Sequence, residues 1–128
     1  MRFMMIYRSG VDTDTPPTPE EISTMGQFIG EMASTGVLLA TDGLQSSSKG
    51  SRVRISNGDF TVTDGPFTEA KEVIGGFAIV QVESKDEAIY WAKRFLSVVG
   101  QGESEIRLMY PTPAFDAASD GDRVTATA

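Results

Sequence analysis

The chain has 128 residues, 40% of them hydrophobic and 23% charged, with 18 acidic against 11 basic side chains and a net charge of −7. That length suits one domain, that charge argues against a phosphate-binding nucleic-acid surface, and no apolar run is long enough for a membrane-spanning helix. With no Cys and no His, disulfides, thiolate nucleophiles, cysteine metal sites and imidazole bases are excluded.

Arg2-Phe3-Met4-Met5-Ile6-Tyr7-Arg8 reads as a first strand, with Phe3, Met5 and Tyr7 on one side and Met4 and Ile6 on the other. Both sides are apolar, whereas a sheet with one wet face alternates cleanly. The start lacks the length and the cleavage site of a signal peptide, so the expected location is cytoplasmic. Residues 9–17, with Asp12, Asp14, Pro16 and Pro17, form a polar loop. Thr18-Pro19-Glu20-Glu21 then announces a helix, with a capping Thr, Pro at the first position and Glu three residues on. Ile22, Met25, Ile29 and Met32 supply its apolar stripe, and Gly36 its left-handed stop.

Val37-Leu38-Leu39-Ala40 is a second strand leading to Asp42-Gly43-Leu44, and residues 46–51 are a polar loop. Arg52–Ile55 and Phe60–Thr63 flank Ser56-Asn57-Gly58-Asp59, where Asn-Gly signals a two-residue hairpin. Asp64-Gly65-Pro66-Phe67 breaks the second hairpin strand, and residues 68–72 suit a short helical turn. Residues 75–82 resume as a strand, apolar on both sides over most of its length. Ser84-Lys85-Asp86-Glu87 is a second capping box, followed by a stripe of Ala88, Ala92, Phe95 and Val99, widened by Ile89 and Leu96 and ended at Gly100. Of the adjacent Tyr90 and Trp91, only one can face the core. Residues 103–110 form the last strand, and the polar tail 112–128 is expected to be flexible or draped over a partner.

The order β-α-β, hairpin, β-α-β predicts an α+β fold: a ferredoxin-like split βαβ with an inserted hairpin and both helices on one face of an antiparallel sheet. Two-faced strands then require a cover on the other side. A second copy of the same sheet is the expected cover, making a homodimer; the alternative is a shallow face covered by the hairpin or the tail.

The string Val62-Thr63-Asp64-Gly65-Pro66-Phe67-Thr68-Glu69-Ala70-Lys71-Glu72-Val73-Ile74-Gly75-Gly76-Phe77 resembles the DGPF subgroup of YCII-related proteins. The resemblance runs over residues 1–111 as one domain and leaves the tail unmatched. It implies a dimeric α/β barrel. The wider superfamily resembles small barrels that include muconolactone-isomerase-like and dehalogenating enzymes, with a His–Asp dyad that a chain without His cannot form. The resemblance also implies a functional link to extracytoplasmic-function sigma factors.

The expected function is binding of a small polar or anionic ligand in a cleft near the Asp64–Phe67 turn. Alternatives are a protein-interaction adaptor in a sigma-factor-linked stress pathway, or a His-independent lyase or isomerase. Asp64 is the candidate acid or base, since a carboxylate of raised pKa can move protons; as a turn former it would instead accept nearby backbone N–H groups. Tyr7, Arg8, Asp42, Phe67 and Lys71 are the candidate ligand contacts. Tyr7 brings a ring with a hydroxyl, and Arg8 and Lys71 bring cations for an anion. Each has a plainer reading as core, turn or surface charge. Gly75-Gly76 lacks the spacing and the Lys-Ser/Thr of a phosphate loop. No metal or cofactor is expected, as no cation-loop spacing occurs.

Overall fold

The structure, a computed structural model, describes residues 1–67 and 73–111. The expected turn at 68–72, with Lys71, and the tail 112–128 lie outside the described residues. Six strands and two long helices follow in chain order: β1 (Arg2–Arg8), α1 (Pro19–Ser34), β2 (Leu38–Gly43), a short 3₁₀ turn (Ser47–Lys49), β3 (Ser51–Ser56), β4 (Asp59–Asp64), β5 (Ile74–Gln81), α2 (Lys85–Val99) and β6 (Glu103–Leu108).

Four strands form one antiparallel sheet in the order β2-β5-β1-β6, while β3 and β4 form a separate two-stranded sheet. The order places β5 between β1 and β2, and β1 between β5 and β6, which is the ferredoxin-like split βαβ. Strand alternation decides the two faces. Phe3, Met5 and Tyr7 stand opposite Val80, Ala78 and Gly76 on one side and Leu108, Ile106 and Ser104 on the other. This set faces the helices, and Phe3, Met5 and Val80 are buried with Phe28, Met32, Val37, Val82, Ala88, Trp91 and Ala92 in a single core. Met4, Ile6, Phe77 and Ile79 alternate onto the far face and are half-buried.

Local chemistry explains where the helices begin and end. At α1 the Glu21 N–H donates to Thr18 Oγ1 (3.1 Å) and the Thr18 N–H to Glu21 Oε1 (2.8 Å), a reciprocal capping box. At α2 the first half holds, Glu87 N–H to Ser84 Oγ at 3.1 Å, but the Glu87 carboxylate accepts from the Glu83 N–H instead of the cap residue. Gly100 ends α2 with φ +84° and Gly36 follows α1 with φ +78°, as a left-handed stop requires.

The inward face of α1 is Met25, Phe28, Ile29 and Met32, while Ile22, expected in the stripe, is 59% exposed in the first turn. On α2, Trp91 takes the core and Tyr90 the surface. Arg94 joins the helices through a bidentate pair with Glu31, at 2.7 and 2.8 Å, a fork geometry that suits guanidinium and carboxylate.

The hairpin turns through Asn57 (φ +53°) and Gly58 (φ +85°), the double positive φ that Asn-Gly accommodates. Val53 faces Val62 and Ile55 faces Phe60 across it, and all four are 60–71% exposed. Among the described residues no helix is long and apolar enough to cross a membrane.

Candidate functional site

Two concavities adjoin each other at Gly43, which lines both. The first is a chamber of about 350 Å³ between the helices and the sheet. Met25, Phe28 and Met32 of α1, Phe95 of α2 and Met5 of β1 line its apolar part. Its polar groups collect at the sheet end: Tyr7, Thr41, Asp42 and Ser104. None of its described lining residues is a Lys or Arg.

Tyr7 is held from several sides. Its hydroxyl donates to the Gln101 carbonyl at 3.0 Å, and its ring meets Phe95 edge-on at 5.0 Å between centroids. Gly75 and Gly102 lie against the ring, where a Cβ on either would come within 3.0 or 2.6 Å of it. Burial pushes the Tyr7 hydroxyl above its usual pKa, so it stays a neutral hydrogen-bonding group. Thr41 Oγ1 donates to the Phe77 carbonyl at 2.9 Å. Asp42 is exposed and stands opposite Phe77 in the β2–β5 pair. Ser104 stands directly across the strand pair from Tyr7.

The second concavity, about 660 Å³, is a cleft beneath the base of the hairpin, and Lys49, Arg52, Ser47 and Phe67 belong to its wall. Here the Asp64–Phe67 turn works as a clasp. Asp64 Oδ1 accepts from Ser51 Oγ at 2.6 Å across the β3–β4 pair. Gly65 donates its N–H to the Gly50 carbonyl at 2.9 Å and packs so close to Ser47 that a Cβ would sit 1.7 Å from that carbonyl oxygen. The Gly65–Pro66 bond is cis. The Phe67 N–H donates to Ser47 Oγ at 3.0 Å, while its ring lies 4.0 Å under the Arg52 guanidinium, a cation–π contact.

Ser47 is also tied to the loop after β1. Its hydroxyl donates to Asp12 Oδ2 and its N–H to Asp12 Oδ1 at 2.9 Å. Hydrogen bonds from Ser47, side chain first and then backbone, hold the Asp12 carboxyl below its ordinary pKa. Ser48 Oγ donates to Asp14 in the same loop. One loop, one 3₁₀ turn and one hairpin base are thus locked together.

The predicted residues therefore divide. Tyr7 and Asp42 line the chamber, and Phe67 lines the cleft. Arg8 lines neither; it pairs with Glu105 at 2.6 Å on the far face of the sheet, where Arg107 first and Arg8 second lower the Glu105 pKa. Asp64 is exposed at the hairpin base and lines neither concavity. Lys71 is outside the described residues. Sequence reasoning missed Asp12, Ser47, Lys49 and Ser104. Only Ser104 left a signal, as a polar residue in register with Ile106 and Leu108 on the inward side of β6.

The YCII-related domain family matches residues 1–111. The chain belongs to that family. Among solved structures, this YCII-related chain is similar to 5-chloro-2-hydroxyhydroquinone dehydrochlorinase from Burkholderia phenoliruptrix AC1100, in complex with 2,5-dihydroxybenzoquinone. The identity is 17% and the TM-score 0.45, over 86% of this chain and 94% of that one. No match is found among curated proteins.

Proposed function

We propose that this YCII-related protein binds a small molecule, and that the chamber between its helices and sheet is the ligand site. The observation that carries this is the chamber itself: about 350 Å³ of space inside a small domain, walled by Met and aromatic side chains with its polar groups gathered at one end. Apolar walls with a few convergent polar groups are the usual make-up of a ligand site, and packed domains leave few voids that large.

A second reading places a polar or anionic ligand in the cleft. Lys49, Arg52 and Phe67 in its wall favour that reading, and it is the cleft beside the Asp64–Phe67 turn. Asp64 is proposed as a contributor there only through the hairpin base it pairs with.

Thermal-shift screening with neutral and anionic small molecules separates the two. A ligand at a hundred times its Kd stabilises by about 2.7 kcal/mol. For the chamber, the shift should vanish in Ala78→Leu or Val99→Phe, which fill it, and persist in Arg52→Gln. The opposite pattern would move the site to the cleft.

A further inference from the structure

Among the described residues, the one buried side-chain oxygen or nitrogen without a hydrogen-bond partner is Ser104 Oγ. Ser104 is in the chamber wall, beside Tyr7 across the β1–β6 pair. A buried hydroxyl left unpaired is unfavourable, and native folds leave few of them. Its position in the wall of a cavity gives it a natural partner from outside the chain.

We propose that the chamber takes a neutral, single-ring aromatic ligand carrying a carbonyl-type acceptor oxygen, to which Ser104 donates a hydrogen bond; this rests on the chamber being the ligand site. Three properties of the wall select that class. First, the described lining has no cation, so an anion would lose its hydration and gain no compensating charge. Second, the thioethers of Met5, Met25 and Met32 stand among the rings of Tyr7, Phe28 and Phe95. Thioethers adapt in shape and make favourable contacts with ring edges, which suits a flat aromatic guest.

Third, the size fits. An apolar cavity of roughly 150 Å³ holds benzene, so a chamber of about 350 Å³ has room for one substituted ring. The Tyr7 hydroxyl is already committed as a donor to the Gln101 carbonyl and offers the ligand only its acceptor side. Thr41 has likewise spent its proton on the Phe77 carbonyl. Ser104 is therefore the neutral donor left at that end. Ser104 Oγ is occluded in the unliganded chain, so the proposed contact requires rotation about χ1 to another of its three staggered positions.

Three probes of matched size test this by calorimetry on the full chain: acetophenone, ethylbenzene and benzoate. Wild type should bind acetophenone roughly tenfold more tightly than ethylbenzene, and benzoate more weakly than either. In Ser104→Ala the acetophenone advantage should disappear while ethylbenzene binding is unchanged. The unliganded variant should melt no lower than wild type, since the change removes an unpaired hydroxyl. An acetophenone advantage that survives in Ser104→Ala overturns the assigned donor. Benzoate binding most tightly, or none of the three binding at millimolar concentration, overturns the ligand class. The chamber reading is decided separately: it fails if Ala78→Leu leaves every measured affinity as it was.

Discussion

Gly102 sits at φ +99° with its Cα facing the Tyr7 ring, and a Cβ there would come within 2.6 Å of Cε1. Gly102→Ala meets both a strained backbone and a ring that Phe95 already holds on another side. It should destabilise the protein by more than about 1 kcal/mol and weaken chamber ligands, read by denaturant melts and calorimetry. Charged residues make a second test, in pH. Glu31, Glu105 and Asp12 all have carboxyls held below their ordinary pKa, by Arg94, by Arg107 and Arg8, and by Ser47 respectively. A depressed folded-state pKa means stability that is fully present above the unfolded value and lost as pH falls through the folded one. Thermal melts should therefore hold steady near neutrality and fall as pH drops below the ordinary carboxylate range of about 4 to 4.5. Glu31→Gln should flatten part of that fall; an unchanged profile would show that the Arg94 pair contributes nothing.

Individual elements repeat the same theme of close backbone approach. The composition of the Asp-Gly-Pro-Phe segment favours a turn over a reactive site, and its observed contacts are those of a clasp on the 3₁₀ turn. Gly65 is required there because a Cβ would sit 1.7 Å from the Ser47 carbonyl oxygen. Gly65→Ala should loosen the hairpin base, with hydrogen exchange rising at the amides of Gly50 and Phe67 while the core strands stay protected. Fast exchange spread through β1 and β5 as well would mean that the clasp supports the whole fold. Helix α1 shows a partial legibility. Its capping box is readable from four adjacent residues, but the periodicity places Ile22 in the stripe, whereas Phe28 carries the core. Periodicity marks a face, and only the docking of the helix on the sheet decides which end of it is covered. Phe28→Ala should cost about 3–5 kcal/mol.

For the molecule as a whole, two apolar surfaces stay open in the single chain: Met4, Ile6, Phe77 and Ile79 on the far face of the sheet, and Val53, Ile55, Phe60 and Val62 on the hairpin. We propose that a homodimer forms on the sheet face, because β1 and β5 are the two central strands and carry apolar residues on the side away from the helices. Light scattering at micromolar concentration should return twice the chain mass. Ile79→Glu and Met4→Glu should each return the chain mass with far-UV circular dichroism unchanged. A wild-type chain mass would remove the homodimer.

Element order, helix caps, the Asn-Gly hairpin and the two-faced strands were all legible in the chain, because each depends on residues within a few positions of one another or on a simple period. The absence of His and Cys likewise fixed what chemistry is unavailable. Other features appear only when distant segments meet. Asp12 finds Ser47 across 35 positions and Arg8 finds Glu105 across 97, with no local pattern to announce either. The sequence pairs Arg8 with Tyr7 as candidate ligand contacts, yet neighbours on a strand point to opposite faces, so Tyr7 enters the chamber while Arg8 turns away from it. The chamber belongs to tertiary structure alone: it is the space two helices leave above a sheet, and no single segment contains it.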